Sequence, residues 1–494
     1  MSVLTALARV EAVRAQRAQP LADFRHYHLS QRPLVLVPLR LAGEAAAPLA
    51  IMVGSAPDDA TVLIVAQPRD RVLRLRFIGE LADLVLPYIA SRCTRVEETV
   101  TKKTEETWPL YSDAPQLLVP NPGGVEFLRM LGRSVRFHRT DGPNAVPETL
   151  PLLGRWLTWF AERAEHPGSN VLLPMTSVLA THWASGQSSL EDGNLAALLG
   201  WIDPPDGLTG PQAATLAEDP LRSPPAGPAT DPGFDNEELA PLIAAYDNAG
   251  DKRAVTVAVE RLERALRGQL EPTWRLMWRA VELLRALPEG ASVQRRWSKD
   301  RGAFSWFAAS IPEGVPQARR DSAVSAVRRL LNRERALDAF QAERAFDDPR
   351  VLLEHRLTGE AFRGTVLDSD PTRTGTTDKG RSVLRPLVRV RTTDPFRAAV
   401  DEELHSIERP KQKGKVVAVD DDTIVLELSG GMGRGRTPPP GTVPEVGDSV
   451  GFARFSPNAS FAPTKLPEPE ETPWTHGGPP PEWTPDAESE EEWS

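Results

Sequence analysis

The chain has 494 residues, with 58 Lys or Arg and 68 Asp or Glu, and its formal net charge is -10 at pH 7. This length exceeds what one hydrophobic core usually organises, so we expect two to four domains. The single cysteine, Cys93, excludes a disulfide framework and a multi-cysteine metal site and favours a reducing, cytoplasmic location, while no run of about 18 uncharged apolar residues predicts a membrane helix.

Residues 1–202 predict an α+β domain with a small sheet and packed helices. From Pro33 to about Ile89, runs of Val, Ile and Leu alternate with turn-forming residues, which is typical of short strands. The last of these runs, VLRLRFI at 72–78, predicts a strand, and the GELADLVLPYI that follows predicts a helix. The remaining predicted elements are a strand at 116–120, a helix at 125–131, a strand at 135–137 and three helices between 147 and 202.

The middle of the chain predicts a linker and then a helical domain. Proline and glycine are so dense in 203–233 that we expect no regular structure there, which makes this segment the main domain boundary. Residues 234–356 carry helical apolar spacing and predict an arginine-rich helical domain. Within it we expect a helix at 254–270, another beginning at Pro272, and a long one capped by Asp321 or Ser322.

The last part predicts a small β-barrel and an acidic tail. Five or so short, alternating strands between residues 357 and 456 favour a barrel of the SH3-like or OB-like kind. Residues 457–494 are acidic, rich in proline and poor in aliphatic residues, so we expect disorder. Trp474, Trp483 and Trp493 are unusual in such a tail, and they predict either a partner-docking motif or incidental tryptophans in a solubilising segment.

No pattern in the sequence predicts a catalytic centre, a metal site or a cofactor. Histidines are scattered, and neither H-E-x-x-H nor G-x-S-x-G is present. The segment GGMGRGRT at 430–437 has the spacing of a phosphate-binding P-loop, with arginine in place of lysine. Three prolines follow it directly and cannot continue as the helix that such a loop needs, so we expect a glycine-rich hairpin loop instead.

An arginine-rich helical block and a basic run before a barrel strand favour contact with nucleic acid. Residues 252–356 hold 21 basic and 14 acidic residues, whereas 461–494 hold one lysine and nine acids. Arginines contact phosphates and aromatic side chains stack on unpaired bases. The alternative is that these are ordinary solvated arginines and core tryptophans, since arginine and alanine are abundant throughout, as in bacterial genomes of high GC content. The candidate residues are Arg295, Arg296, Trp297, Lys299, Arg301, Arg328, Arg329, Arg333, Lys411, Lys413 and Lys415.

Three functional hypotheses follow from these observations. The first is a non-enzymatic accessory or scaffold subunit of a bacterial nucleic-acid-handling assembly, in which the helical block and barrel contact DNA or RNA. Its acidic tail would dock a protein partner or occupy the basic surface. The second is a protein-interaction component without nucleic-acid binding, and the third is an enzyme whose site is assembled from distant residues.

Overall fold

The computed structural model describes residues 3–94, 96–100, 107–317, 322–376, 380–433, 435, 437–458, 464–468 and 471–472. These residues form a mixed helix and sheet region followed by a closed antiparallel barrel, which confirms that part of the predicted architecture. Most of the tail predicted to be disordered, with its three tryptophans, lies outside the described residues. No helix in the described part of the chain is both long and apolar enough to span a bilayer.

Helices and strands alternate in the first half of the chain, whereas the second half has a series of helices followed by a series of strands. In chain order the helices are α1 Val3–Ala15, α2 Arg71–Ser91, α3 Pro122–Val135, α4 Thr149–Ala164, α5 Met175–His182, α6 Leu195–Ile202, α7 Gly210–Glu218, α8 Pro232–Phe234, α9 Ala240–Asp247, α10 Lys252–Ala286, α11 Val293–Ser310, α12 Ala323–Asp347 and α13 Pro349–Leu357. The strands are β1 Gln19–Pro20, β2 Leu34–Arg40, β3 Pro48–Gly54, β4 Thr61–Ile64, β5 Val96–Val100, β6 Thr107–Tyr111, β7 Leu117–Val119, β8 Leu172–Pro174, β9 Trp183–Ala184, β10 Ala361–Asp370, β11 Thr374–Thr376, β12 Ser382–Leu384, β13 Leu387–Arg391, β14 Glu403–Ser406, β15 Lys413–Asp420, β16 Thr423–Ser429 and β17 Ser449–Ala453.

A mixed five-stranded sheet, ordered β4-β3-β2-β7-β8, forms the centre of the first part. Strand β3 is antiparallel to β2 and β4, whereas β7 runs parallel to β2 and β8 runs parallel to β7. Strands β2 and β3 are almost continuously apolar because helices cover both of their faces. The sequence pattern did not predict β8, which lies within the stretch predicted to form three helices between 147 and 202.

Two hydrophobic cores cover the two faces of this sheet. On one face Val35 and Val37 pack in the same core as Leu262 and Leu266 of α10. On the other face the strands share a core with α2, α3, α4 and the aromatic side of α11. The predicted division between an N-terminal domain at 1–202 and a helical domain at 234–356 is therefore not a division between cores, because each core draws residues from both segments.

The predicted linker contains regular structure and pairs with the end of the central strand β2. Helix α7 lies within it and begins with a capping box between Thr209 and Gln212. Further along, the N–H of Arg40 donates to the carbonyl of Pro228 at 2.6 Å, and the N–H of Thr230 donates to the carbonyl of Arg40 at 3.1 Å. The prediction that 203–233 has no regular structure is wrong, because proline at the first turn of a helix needs no N–H partner.

Three predicted elements differ from the structure. The run at 72–78 is helical, because Asp70 caps α2 by accepting from the N–H of Leu73 at 2.9 Å and the helix then buries its apolar side. The strand predicted at 135–137 is absent, since α3 continues to Val135. The two helices predicted on either side of Pro272 are one 35-residue helix, α10, which packing against the sheet keeps continuous through the proline. The predicted cap at Ser322 is confirmed for α12.

Six antiparallel strands close the barrel in the order β10-β13-β16-β15-β14-β17, with β10 pairing on both sides. This confirms a small barrel between residues 357 and 456. Alternate side chains fill its interior, among them Phe362, Leu426 and Phe452. A smaller core, which includes Leu352 of α13 and Ile407 of the barrel, joins the barrel to the helices.

Candidate nucleic-acid interface

Helix α11, which carries five of the eleven predicted nucleic-acid residues, is anchored by a buried carboxylate. Glu343 of α12 is 2% exposed and lies within ion-pair distance of Arg295, Arg296 and Lys299. Arg296 is 5% exposed, and its guanidinium also donates to the carbonyl of His26 and the hydroxyl of Ser292. Arg296 is therefore a structural cation that holds α11 against α12, and its burial does not agree with the predicted surface contact.

Trp297 is likewise part of the interior. Its ring stacks on His28 with centroids 4.2 Å apart, and it is 5% exposed. One turn further along α11, the buried carboxylate of Asp300 accepts hydrogen bonds from the backbone and side chain of Asn170 and pairs with Arg163 at 2.7 Å. The stacking partner of Trp297 is thus a histidine of the same chain, and not an unpaired base.

The remaining predicted cations of the helical block lie on α11 and α12. Arg301 donates to the carbonyl of Tyr111 at 3.1 Å, and Arg333 forms an ion pair with Glu165. Arg328 and Arg329 are exposed on the N-terminal half of α12. Arg295 and Lys299 of α11 are also exposed but pair with Glu343, so the exposed cations of the helical block lie on both helices.

The basic run at the start of β15 forms surface pairs within the barrel. Lys413 lies 2.6 Å from Glu403, and Lys415 lies 2.7 Å from Asp401. Lys411 is exposed in the preceding turn. Surface pairs of this kind contribute only about 0–1 kcal/mol, so a polyanion can compete for these lysines.

A groove with an aromatic floor lies between α4, the end of α11 and α12. Its volume is about 310 Å³. Trp159 of α4 and Phe307 of α11 stack in its floor with centroids 5.3 Å apart and ring planes within 14°. Trp306 lines the same groove and is 59% exposed, an unusual position for the largest apolar side chain. Residues two positions apart on a helix lie about 200° apart around its axis, so Trp306 is exposed while Phe304 is buried.

Arginines from three elements line this groove. They are Arg136 after α3, Arg155 of α4 and Arg329 of α12, and among the described lining residues Glu162 is the one carboxylate. Partial burial lowers the pKa of Arg136 below its usual range, and the neighbouring Arg133 lowers it further. A bound anion would relieve both effects, because it replaces lost solvation with an opposite charge. We refer to this site as the aromatic–arginine groove.

The groove is also held in shape by the loop after α11. Arg155 donates through Nη2 to the carbonyl of Val315 at 2.9 Å, and the N–H of Val315 donates to the carbonyl of Ser310 at 3.2 Å. The buried Nε of Arg155 has no hydrogen-bond partner among the described residues. The loop, the floor and the cations therefore form a defined site.

A second cluster of ionisable groups is sealed inside the protein and is structural. His182 donates through Nδ1 to the carbonyl of Val178 at 2.8 Å, so its Nε2 accepts from the N–H of His26. Burial lowers the pKa of His182 to about 3. Burial acts to raise the pKa of Asp348, but contact with His26 and backbone N–H donors outweigh it and lower that pKa to about 2. Both histidines and Asp348 are fully buried, which leaves no room for a substrate.

The carboxyl edge of the sheet, where open α/β sheets usually bind ligands, is covered by the chain itself. Asn121 follows β7 and donates to the carbonyls of Gly193 and Ala226. Across the described ranges, no group of three or more His, Cys, Asp or Glu residues is placed to hold a metal ion. The aromatic–arginine groove is accordingly the site whose chemistry is best defined.

Among the groove residues, the sequence analysis identified Arg329 as a candidate and did not identify Arg136, Arg155 or Trp306. A local signal was present in the aromatic run FSWF at 304–307, which contains Trp306. Comparison with protein-family models, with curated proteins and with solved structures finds no match to this chain.

Proposed function

We propose that this protein is a non-enzymatic accessory subunit that binds single-stranded nucleic acid in the aromatic–arginine groove. The observation that carries the proposal is the exposed Trp306 beside a stacked aromatic floor, with three arginines around it and one carboxylate. Unpaired bases stack on aromatic rings whatever their sequence, and guanidinium groups hold the adjacent phosphates. Both halves of a nucleotide therefore find complementary chemistry in one site.

The proposal favours single strands over duplexes for a geometric reason. Bases in a duplex are already stacked on one another, so their faces are not offered to Trp306 or to the aromatic floor. The net charge of -10 also disfavours a broad polyanion-binding surface, whereas a local cluster of Arg136, Arg155 and Arg329 still attracts a flexible strand. The exposed Arg328 lies on the same helix as Arg329 and extends the basic surface.

The test is fluorescence anisotropy with a labelled 12-nucleotide single strand at low salt, comparing the wild-type chain with W306A. Stacking on an aromatic residue contributes about 1–3 kcal/mol per base, so W306A should raise Kd by roughly 5- to 150-fold. R136A/R329A should weaken binding and make the slope of log K against log salt shallower by about 1.4, at about 0.7 per phosphate contact. R14A, which removes an arginine that is exposed on α1 and outside the groove, is the matched control and should bind like wild type.

Two outcomes would overturn the proposal. The first is wild-type protein that binds no single strand at low salt, which would favour a protein-interaction role for the groove. The second is that W306A and R136A/R329A bind the single strand as tightly as the control R14A does. That result would place the nucleic acid outside the groove. A strand and a duplex of equal affinity would contradict the preference for unpaired bases.

A further inference from the structure

The segment that follows the barrel runs along α12 toward the aromatic–arginine groove. Phe455 packs on Phe346 with ring centroids 6.0 Å apart. Asn458 then accepts a hydrogen bond at 3.1 Å from Arg295, whose other terminal nitrogen pairs with Glu343.

Further along, Thr464 accepts from Arg335 at 2.8 Å. As the residue numbers of the segment rise from 455 to 464, its contacts on α12 move from Phe346 to Arg335. As far as Thr464 the chain therefore runs antiparallel to α12, in the direction of Arg329, which lines the groove.

The remaining chain is long enough to reach the groove. Arg329 lies six residues from Arg335, which is about 9 Å along a helix. A chain covers at most about 3.3–3.6 Å per residue, so the ten residues from Thr464 to Trp474 are long enough for this distance even with the hydrogen-bonded turn between Glu468 and Glu471. Residues 473–494 add a further 22 residues to the chain.

The composition of that terminal segment complements the groove. Residues 473–494 contain six acidic residues, no lysine or arginine, and the tryptophans Trp474, Trp483 and Trp493. Carboxylates fit the arginines of the groove, and an indole ring fits its stacked aromatic floor. A single-stranded nucleic acid offers the same two features, an anion and a flat ring.

We propose that residues 473–494 bind the aromatic–arginine groove of their own chain and compete there with a single-stranded ligand. The cis interaction stands on the path of the chain and on its composition, whereas the competition rests on the proposed function. A segment that is tethered to its own binding site by a short linker has an effective concentration of about 1 mM at that site. If the free segment binds with a Kd of about 0.1 mM, the tether weakens the competing ligand by roughly tenfold.

The experiment uses the full chain with the three tail tryptophans changed together, W474A/W483A/W493A. This variant should bind the labelled single strand about tenfold more tightly than wild type. A fluorescein-labelled peptide of residues 473–494 should bind the same variant, bind much more weakly when W306A is added, and lose affinity as salt rises. The peptide carrying the three alanine changes is the matched control and should bind weakly or not at all.

The outcomes separate this inference from the proposed function. Peptide binding that depends on Trp306, without any binding of the single strand, supports the cis interaction and overturns the nucleic-acid proposal. Strand binding that is equal in wild type and W474A/W483A/W493A, together with no peptide binding, overturns the cis interaction and leaves the nucleic-acid proposal standing. Peptide binding that W306A does not change overturns the groove as its site.

Discussion

Glu343→Gln tests whether the buried carboxylate holds α11 and α12 together. The substitution keeps the size of the side chain but removes the charge that Arg296 faces at 2.5 Å in a site that is almost fully buried. Breaking a buried ion pair by neutralising one partner costs about 3–5 kcal/mol, because the other charge remains desolvated and unpaired. The neighbouring Arg295 and Lys299 are more exposed and lose less.

The expected change in Tm follows from the size of the unit that unfolds. The helix and sheet region spans about 355 residues, and an unfolding entropy of about 2.1 cal/mol/K per residue gives about 0.75 kcal/mol/K. A loss of about 3–5 kcal/mol then lowers Tm by about 4–7 °C, which circular dichroism at 222 nm measures directly. Glu334→Gln, an exposed position on the same helix, is the control and should shift Tm by less than about 1 °C. Equal Tm values for the two variants would refute the reasoning.

Two further predictions concern stability. The folded-state pKa of His182, about 3, lies below its ordinary value near 6.5, so the stability it contributes is present above pH 6.5 and is lost as pH falls toward 3, by up to about 1.4 kcal/mol per pH unit. Urea unfolding of wild type and H182Q between pH 4 and 8 gives the free energy of unfolding of each as a function of pH. The difference between the two should grow toward neutral pH, and a difference that does not change with pH would contradict a role for His182 in this pH dependence. Gly268 lies exposed within α10 with open space where the Cβ of an alanine would lie, so G268A should raise the free energy of unfolding by about 0.5–1 kcal/mol in the same assay, whereas a lowered urea midpoint would show that the position is constrained.

Local sequence patterns predicted an element correctly where the contacts that stabilise it are between residues close together in the sequence. The alternation of apolar and polar residues in 423–429 and its turn residues predicted barrel strands, and the structure confirms the barrel. Ser322 predicted its own cap because an N-cap is a contact over three residues. Short apolar runs were ambiguous, and 72–78 was predicted as a strand because seven residues do not separate a strand from the first turns of a helix.

The site depended on contacts that local patterns do not contain. Arg296 and Arg329 look alike in sequence, yet Glu343 buries the first while the second lies exposed at the groove. Trp297 and Trp306 are nine positions apart on one helix, and packing against His28 buries the first while the second is exposed. Composition alone could therefore indicate a basic and aromatic region without saying which residues are available to a ligand.

The sequence by itself determined the order of the regions, the barrel near the C-terminal end, the absence of a disulfide framework, and the opposite charges of the helical block and the tail. These follow from composition and from periodicities of two to four residues, which act over short distances along the chain. The tertiary structure alone decided that helices from both halves share two cores, and that Arg136, Arg155, Trp306 and Arg329 line one groove. The physical reason is that burial and charge pairing depend on which surfaces meet after folding, and those surfaces come from segments almost 200 residues apart.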